Sequence, residues 1–167
     1  LYWLNRFLRE ISCASLLPLA ILDVSTKSLY GNHWSVSGKN VPGYRSQDPS
    51  VYLLGRNALL LSHAAVYSIQ HHFNTILLGT LSGNPFPDAT PRFFKAMART
   101  LSTALGKSIH IKAPFHHKTK KSILQFSQHL PLHLAFSCLN PKGIRPCNAC
   151  NKCAEKNRVT KIYSEKS

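Results

Sequence analysis

The pattern of apolar and polar positions along the chain predicts helices that alternate with strands. Helical spacing of apolar residues, or a helix-capping residue at the start, predicts helices over residues 1–15, 58–72, 91–105 and 119–129. Short apolar runs predict buried strands over residues 19–24, 75–80, 108–112 and 132–136. This order predicts an α/β domain with a mostly parallel sheet flanked by helices, in which ligands bind beyond the carboxyl ends of the strands.

The helix over residues 91–105 has the clearest boundaries. Thr90 is a good N-cap residue, Pro91 suits the first helical position, and Gly106 suits the position after the last turn. By contrast, residues 25–50 form a long polar segment without helical or strand periodicity. A connection of that length inside a domain is usually functional or mobile.

Composition adds a strong charge asymmetry to this picture. The 167 residues carry a formal net charge of +15, made up of +3 in residues 1–83 and +12 in residues 84–167. A basic half of this kind attracts phosphates on nucleotides or nucleic acids. Six acidic residues without a close pair argue against glycosidase and two-metal chemistry, and the lack of a long apolar run argues against a membrane-spanning helix.

Four of the five cysteines lie close together and predict a metal site. Cys138, Cys147, Cys150 and Cys153 follow the pattern C-x8-C-x-x-C-x-x-C. Such spacing lets tight turns direct four thiolates to one metal ion, which favours structural zinc, with an iron–sulfur cluster as the alternative. Four protein ligands leave no open position, so we expect the metal to be structural and not catalytic. Cys13 lies far away and is expected to be a small buried residue.

An ordered series of short motifs resembles the QueC family, the 7-cyano-7-deazaguanine synthases of the PP-loop ATPase group. The resemblance covers about residues 41–156 and ends with the C-x8-C-x-x-C-x-x-C cluster. The matching pieces are Gly55-Arg56-Asn57, Leu78-Gly79, Phe86-Pro87-Asp88 with Pro91 and Phe93, Ala113-Pro114, Thr119-Lys120 with Ile123, and Ser137-Cys138.

The resemblance implies a PP-loop fold and an ATP-dependent carbon–nitrogen ligase. Its substrates would be 7-carboxy-7-deazaguanine and ammonia, with ATP as co-substrate together with Mg²⁺, and its product would be the nitrile used for queuosine and other deazapurines. It also implies a structural zinc ion on the four cysteines, a cytoplasmic location and a homodimer.

Four residues are candidates for binding substrate or ATP. Arg56 lies where a short apolar run leads into a helix and has the chemistry to clamp a carboxylate or phosphate, with Asn57 beside it. Asp88 follows two prolines and has the chemistry to orient the amino group of a purine-like base, although capping the next helix would also explain it. Lys120 begins a helix, where a cation is favourable if the site faces an anion.

One family feature is missing from these residues. The S-G-G-x-D-S loop that holds the ATP phosphates in the family does not occur in the sequence. We therefore expect no ATP turnover from residues 1–167 alone, and a PP-loop-type domain over residues 1–136 that is incomplete at its N-terminal side. Residues 137–167 are expected to form a separate zinc knuckle and tail. The alternatives are a basic zinc-containing module that binds nucleic acid through the C-terminal half, and an inactive truncated paralogue.

Overall fold

The computed structural model describes residues 1–164, with side chains as far as Val159. The chain divides into two compact units. One unit consists of residues 52–123, and the other combines residues 1–51 with the described residues from 124 onwards.

The structure combines α-helices with a small parallel sheet. The helices are α1 (Tyr2–Glu10), α2 (Lys27–Tyr30), α3 (Trp34–Ser37), α4 (Arg56–Gln70), α5 (Pro91–Leu105), α6 (Lys120–Phe126) and α7 (Asn151–Ser164). The strands are β1 (Thr75–Leu77) and β2 (His110–Lys112), and short 3-10 helices lie at Asp48–Val51, Pro87–Ala89 and Leu132–Leu134. No helix of the described residues is long and apolar enough to cross a membrane.

The unit of residues 52–123 is built around the two strands. β1 and β2 pair in parallel with Ile76 opposite Ile111, and α4 and α5 pack against them. The buried core consists of Leu61 and Ala65 from α4, Phe94 and Leu101 from α5, and Ile109 before β2. The predicted α/β character is confirmed in this coarse form, since the described residues form a parallel sheet of two strands flanked by helices.

α5 has the boundaries that its capping residues predict. The Thr90 hydroxyl accepts a hydrogen bond from the Phe93 N–H at 3.2 Å, and Pro91 takes the first helical position. Gly106 follows the last turn with φ of 61°, a left-handed conformation that glycine adopts without steric cost.

Two predicted strands are wrong. Residues 19–24 form neither helix nor strand, and most of their apolar side chains are exposed. A strand is stabilised by a paired neighbour, and among the described residues none pairs with this segment. Residues 132–136 begin with the 3-10 helix Leu132–Leu134, in which the Leu134 N–H donates to the Pro131 carbonyl at 3.0 Å. A short run of apolar residues does not by itself distinguish a strand from a 3-10 helix or an irregular segment.

In the unit of residues 1–51 and 124 onwards, α1 contacts the segment around Cys138. The Trp3 ring stacks on the Phe136 ring at a centroid distance of 5.8 Å and an interplanar angle of 9°. Its Nε1–H donates to the Ile144 carbonyl at 2.8 Å. α1 itself ends at Glu10, shorter than the predicted helix over residues 1–15. The expectation that Cys13 is buried is wrong: Cys13 lies beyond the end of α1 and is exposed.

Candidate functional site

The four clustered cysteines lie together in the structure. The Sγ atoms of Cys138, Cys147, Cys150 and Cys153 are all within 4.8 Å of one another. Tetrahedral zinc about 2.3 Å from each sulfur requires sulfur–sulfur separations of about 3.8 Å, so small side-chain adjustments suffice. The donor set therefore fits zinc, and these four residues would hold it with no ligand position left for a substrate.

Two tight turns and a helix bring the cysteines together. Lys142 and Arg145 form an antiparallel bridge in which the Lys142 N–H donates to the Arg145 carbonyl at 2.9 Å, with Gly143 at a φ of 60° between them. Asn148 lies between Cys147 and Cys150 with a φ of 56°, and Asn is one of the few non-glycine residues that tolerate this conformation. α7, which the sequence pattern did not predict, places Cys153 in its first turn.

Backbone N–H groups point at the sulfurs and affect their ionisation. The N–H of Leu139 donates to the Cys150 Sγ at 3.4 Å, and the N–H of Cys147 donates to the Cys138 Sγ at 3.2 Å. Burial opposes ionisation of Cys150, but hydrogen bonds from Leu139 and Cys153 outweigh it and lower the pKa of its thiol to about 6.

The neighbouring thiols have the opposite tendency. Burial and hydrogen bonding to Cys150 and Cys138 raise the pKa of Cys153 to about 12, and burial raises the pKa of Cys138. Several thiolates in so small a volume repel one another, and a divalent cation offsets that repulsion. The short distances between the sulfurs and the repulsion between their thiolates therefore both favour a bound divalent cation.

The segment before residue 47 supports the cluster. Gly43 forms an antiparallel bridge with Cys150, and the Asn151 N–H donates to the Pro42 carbonyl at 3.0 Å. The Asn151 side-chain amide donates to the Ser46 carbonyl, and Asn151 is buried. Part of the long polar segment over residues 25–50 is therefore a structural support for the cysteine cluster, which no sequence signal indicated.

A second group of predicted residues lies where the start of α4 meets the 3-10 helix Pro87–Ala89. The Asn57 backbone N–H donates to the Asp88 Oδ2 at 2.9 Å, and the Asn57 side-chain amide donates to the Asp88 carbonyl at 2.9 Å. Both residues are buried. The Asp88 carboxylate therefore caps the first turn of α4, where Gly55 at the N-cap position has no side chain to do so.

Arg56 and Lys120 begin α4 and α6 respectively. Arg56 is exposed, whereas Lys120 is partly buried and follows Thr119, whose hydroxyl accepts from the Ser122 N–H at 3.1 Å. The loops that follow β1 and β2 are joined, since the Ser82 N–H donates to the Lys118 carbonyl at 3.0 Å. Of the four predicted site residues, Asn57 and Asp88 are in direct contact. A pocket that joins them to Arg56 and Lys120 stays a prediction.

The structure adds an aromatic pair near Asp88 that sequence reasoning missed. The Tyr52 ring stacks on the Phe86 ring at a centroid distance of 4.7 Å and an interplanar angle of 21°. Tyr52 and Phe86 are 34 positions apart, so no local spacing pointed to the pair. The stacking links the segment before α4 to the loop before Asp88 and adds to the fixed position of that loop.

The sequence of the chain matches a known protein family. A sequence model of the family described as "Queuosine biosynthesis protein QueC" matches residues 7–164. The chain belongs to the QueC family. The resemblance to this family that the motifs indicated is confirmed.

Relatives of the chain within the QueC family carry the name 7-cyano-7-deazaguanine synthase. The protein of Leptospira biflexa is 34% identical over 122 residues, which cover 66% of this chain and 49% of the relative. The protein of Leptospira interrogans is 31% identical over 149 residues, covering 82% of this chain and 62% of the relative. A 7-cyano-7-deazaguanine synthase 1 of Desulfitobacterium hafniense is 26% identical over 166 residues, covering 97% and 73%.

The chain therefore spans about half to two thirds of the length of the two Leptospira relatives in the QueC family. The rest of each relative lies outside the matched region.

Proposed function

We propose that the chain is the substrate-binding and zinc-binding part of a QueC-type ligase that converts 7-carboxy-7-deazaguanine and ammonia to 7-cyano-7-deazaguanine. In this reaction ATP adenylates the carboxylate with release of pyrophosphate, and ammonia displaces AMP to form the amide. A second ATP adenylates the amide oxygen, again with release of pyrophosphate, and loss of AMP with that oxygen and of the nitrogen-bound protons leaves the nitrile. Mg²⁺ would accompany ATP.

The observation that carries the proposal is the Asn57–Asp88 pair within a chain of this family. The pair holds a carboxylate at the N-terminus of α4, on the loop that follows β1. Ligands of parallel sheets bind at this end of the strands. A carboxylate fixed there has the chemistry to accept hydrogen bonds from the amino group and ring N–H of a deazaguanine.

Two cations are assigned to the negative groups of the reaction. Arg56 at the start of α4 would pair with the substrate carboxylate, and Lys120 at the start of α6 would neutralise phosphate charge. Both helix N-termini favour anions. The contribution of these residues is positioning and electrostatic stabilisation, in keeping with the small number of carboxylates in the chain.

Zinc has a structural role in this proposal. The cysteine cluster joins residues 42–46 to the start of α7 and offers no free coordination position. Loss of zinc would therefore act on folding of this unit and not on a chemical step.

Substrate binding is the sharpest test, because the candidate residues lie within this chain. Titration calorimetry of the 167-residue protein with 7-carboxy-7-deazaguanine should show binding that Asp88→Asn weakens by about tenfold or more, since a charged acceptor is lost. Asp48→Asn is the matched control, because Asp48 is exposed and lies in the other unit. Equal affinities of wild type and Asp88→Asn, or no binding at all, would contradict the proposal.

Turnover gives a separate readout. Mass spectrometry should detect no nitrile from residues 1–167 with ATP and ammonia, because the sequence has no S-G-G-x-D-S loop. Steady formation of AMP and nitrile by this chain would show that another part of it holds the ATP phosphates. RNA binding without catalysis is the alternative that salt-dependent binding of RNA, in the absence of deazapurine binding, would favour.

A further inference from the structure

A cleft on the unit of residues 52–123 lies outside the site proposed for the deazapurine. It has a volume of about 420 Å³ and is bordered by one face of α5 and by β2 with the turn after it. Its apolar part includes the buried side chains of Phe94 and Ile109. Neither Arg56, Asp88 nor Lys120 lines it.

The lining of the cleft is rich in groups that bind anions. Lys95 projects from α5, Lys112 ends β2, and His116 and His117 follow in the turn. Both lysine side chains are exposed, and the ion pairs described for residues 1–159 do not involve them. No carboxylate lines the cleft, so its positive charge is not neutralised locally.

The surrounding unit strengthens this charge. Residues 52–123 contain nine Lys and Arg residues and one acidic residue, Asp88. The Asp88 carboxylate is already bound to the Asn57 N–H at the start of α4. The unit therefore carries a strongly positive net charge, which raises the local concentration of anions.

His116 gives an independent indication of a ligand. Its Nδ1 atom is buried and has no hydrogen-bond partner in the structure, and its ring lies 5.1 Å from the ring of His117. Buried polar atoms in folded proteins nearly always have a partner. His116 lines the cleft, so a rotation of its ring that brings an imidazole N–H to the cleft gives that group a partner on a bound ligand. A phosphate oxygen meets that need, because it accepts from an imidazole N–H and from lysine ammonium groups at once.

We propose that this cleft binds a free small molecule that carries a phosphate or pyrophosphate group, with Lys95, Lys112 and His116 contacting the phosphate oxygens. The volume is in the usual range for a small-molecule site, and the apolar part can contact the rest of the ligand. An extended phosphodiester strand follows a groove over several nucleotides, whereas this cleft has a volume of only about 420 Å³. The proposal does not depend on deazapurine binding at Asp88.

Titration calorimetry of the 167-residue protein with inorganic pyrophosphate tests the proposal directly. One saturable site is expected, and the double variant Lys95→Gln/Lys112→Gln should weaken it by about tenfold for each lysine removed. The control Lys39→Gln/Lys107→Gln removes the same charge at exposed positions outside the cleft and should change the affinity far less. Thermal unfolding of each variant checks that the fold is intact.

Histidine NMR signals identify the location of binding. Pyrophosphate should shift the ring signals of His116 and His117, while those of His63 and His71 on α4 or just after it stay unchanged. Equal loss of affinity in both double variants, unshifted His116 and His117 signals, or no binding of pyrophosphate would overturn the proposal. So would binding of a single-stranded RNA oligonucleotide that pyrophosphate does not displace.

Discussion

Replacement of Asp88 by alanine is the most direct test of the structural role of the Asn57–Asp88 pair. Asn57 is the second residue of α4, and its N–H is among the first-turn groups that have no partner within the helix. The Asp88 Oδ2 accepts this N–H at 2.9 Å, and both residues are buried. Asp88→Ala therefore leaves a buried donor unpaired and removes a negative charge from a helix N-terminus.

The magnitude follows from these two losses. A buried hydrogen bond to a charged group contributes about 1.5–3 kcal/mol, which includes most of the effect of the helix dipole at this position. We expect Asp88→Ala to lower the free energy of unfolding by about 2 kcal/mol. Asp88→Asn keeps an oxygen acceptor and loses the charge, so it should cost about half as much.

The positions of the two tryptophans allow unfolding of the two units to be followed separately. Trp3 and Trp34 both lie in the unit of residues 1–51 and 124 onwards, so their fluorescence reports that unit. Urea unfolding followed by circular dichroism, with hydrogen exchange of the α4 amides, reports the unit that contains Asp88. Faster exchange at the start of α4 with unchanged tryptophan fluorescence is expected.

Two results would refute this reasoning. One is a cost below about 0.5 kcal/mol for Asp88→Ala, which is the size of an ordinary surface substitution. The other is an equal cost for Asp88→Ala and Asp88→Asn, which would mean that the oxygen acceptor at this position contributes nothing.

The remaining predictions concern the metal site and helix capping. Elemental analysis should find one zinc ion per chain, and Cys147→Ser should abolish it and lower the melting temperature, whereas Cys13→Ser, at an exposed cysteine outside the cluster, should keep the metal. Asn151→Ala should cost about 1–3 kcal/mol in thermal unfolding, because it leaves the Ser46 carbonyl unpaired; a change within error would contradict the support described for the cluster. Thr90→Ala should cost about 1 kcal/mol by loss of the α5 cap, and Thr90→Ser should restore most of it; equal stabilities of the two variants would exclude that cap.

The sequence alone determined the features that depend on near neighbours. α5 begins after Thr90 and ends before Gly106, because its caps act within one turn of the chain. The clustering of the four cysteines was predicted from their spacing, because turns that join residues so close in sequence leave few other arrangements. The residues that form β1 and β2 lie within two of the short apolar runs that predicted strands.

The tertiary structure decided which apolar runs became strands. Residues 19–24 and 75–80 have similar apolar patterns, yet a strand forms only at Thr75–Leu77, which pairs with His110–Lys112. The difference lies in a partner 35 residues away, which no local pattern shows. Hydrophobicity indicates that a segment can be buried, and pairing determines whether it is a strand.

The same limit applies to the candidate site. Asp88 looked like a cap for the helix that follows it, but its carboxylate binds the N–H of Asn57, 31 positions earlier in the chain. Asn151 contacts Ser46 over 105 positions, and α7 was missed because its start is defined by those contacts and not by an apolar stripe. Residue types and spacing indicated the chemistry of the site, whereas long-range hydrogen bonds determined which groups meet, because such contacts form only when the chain has folded.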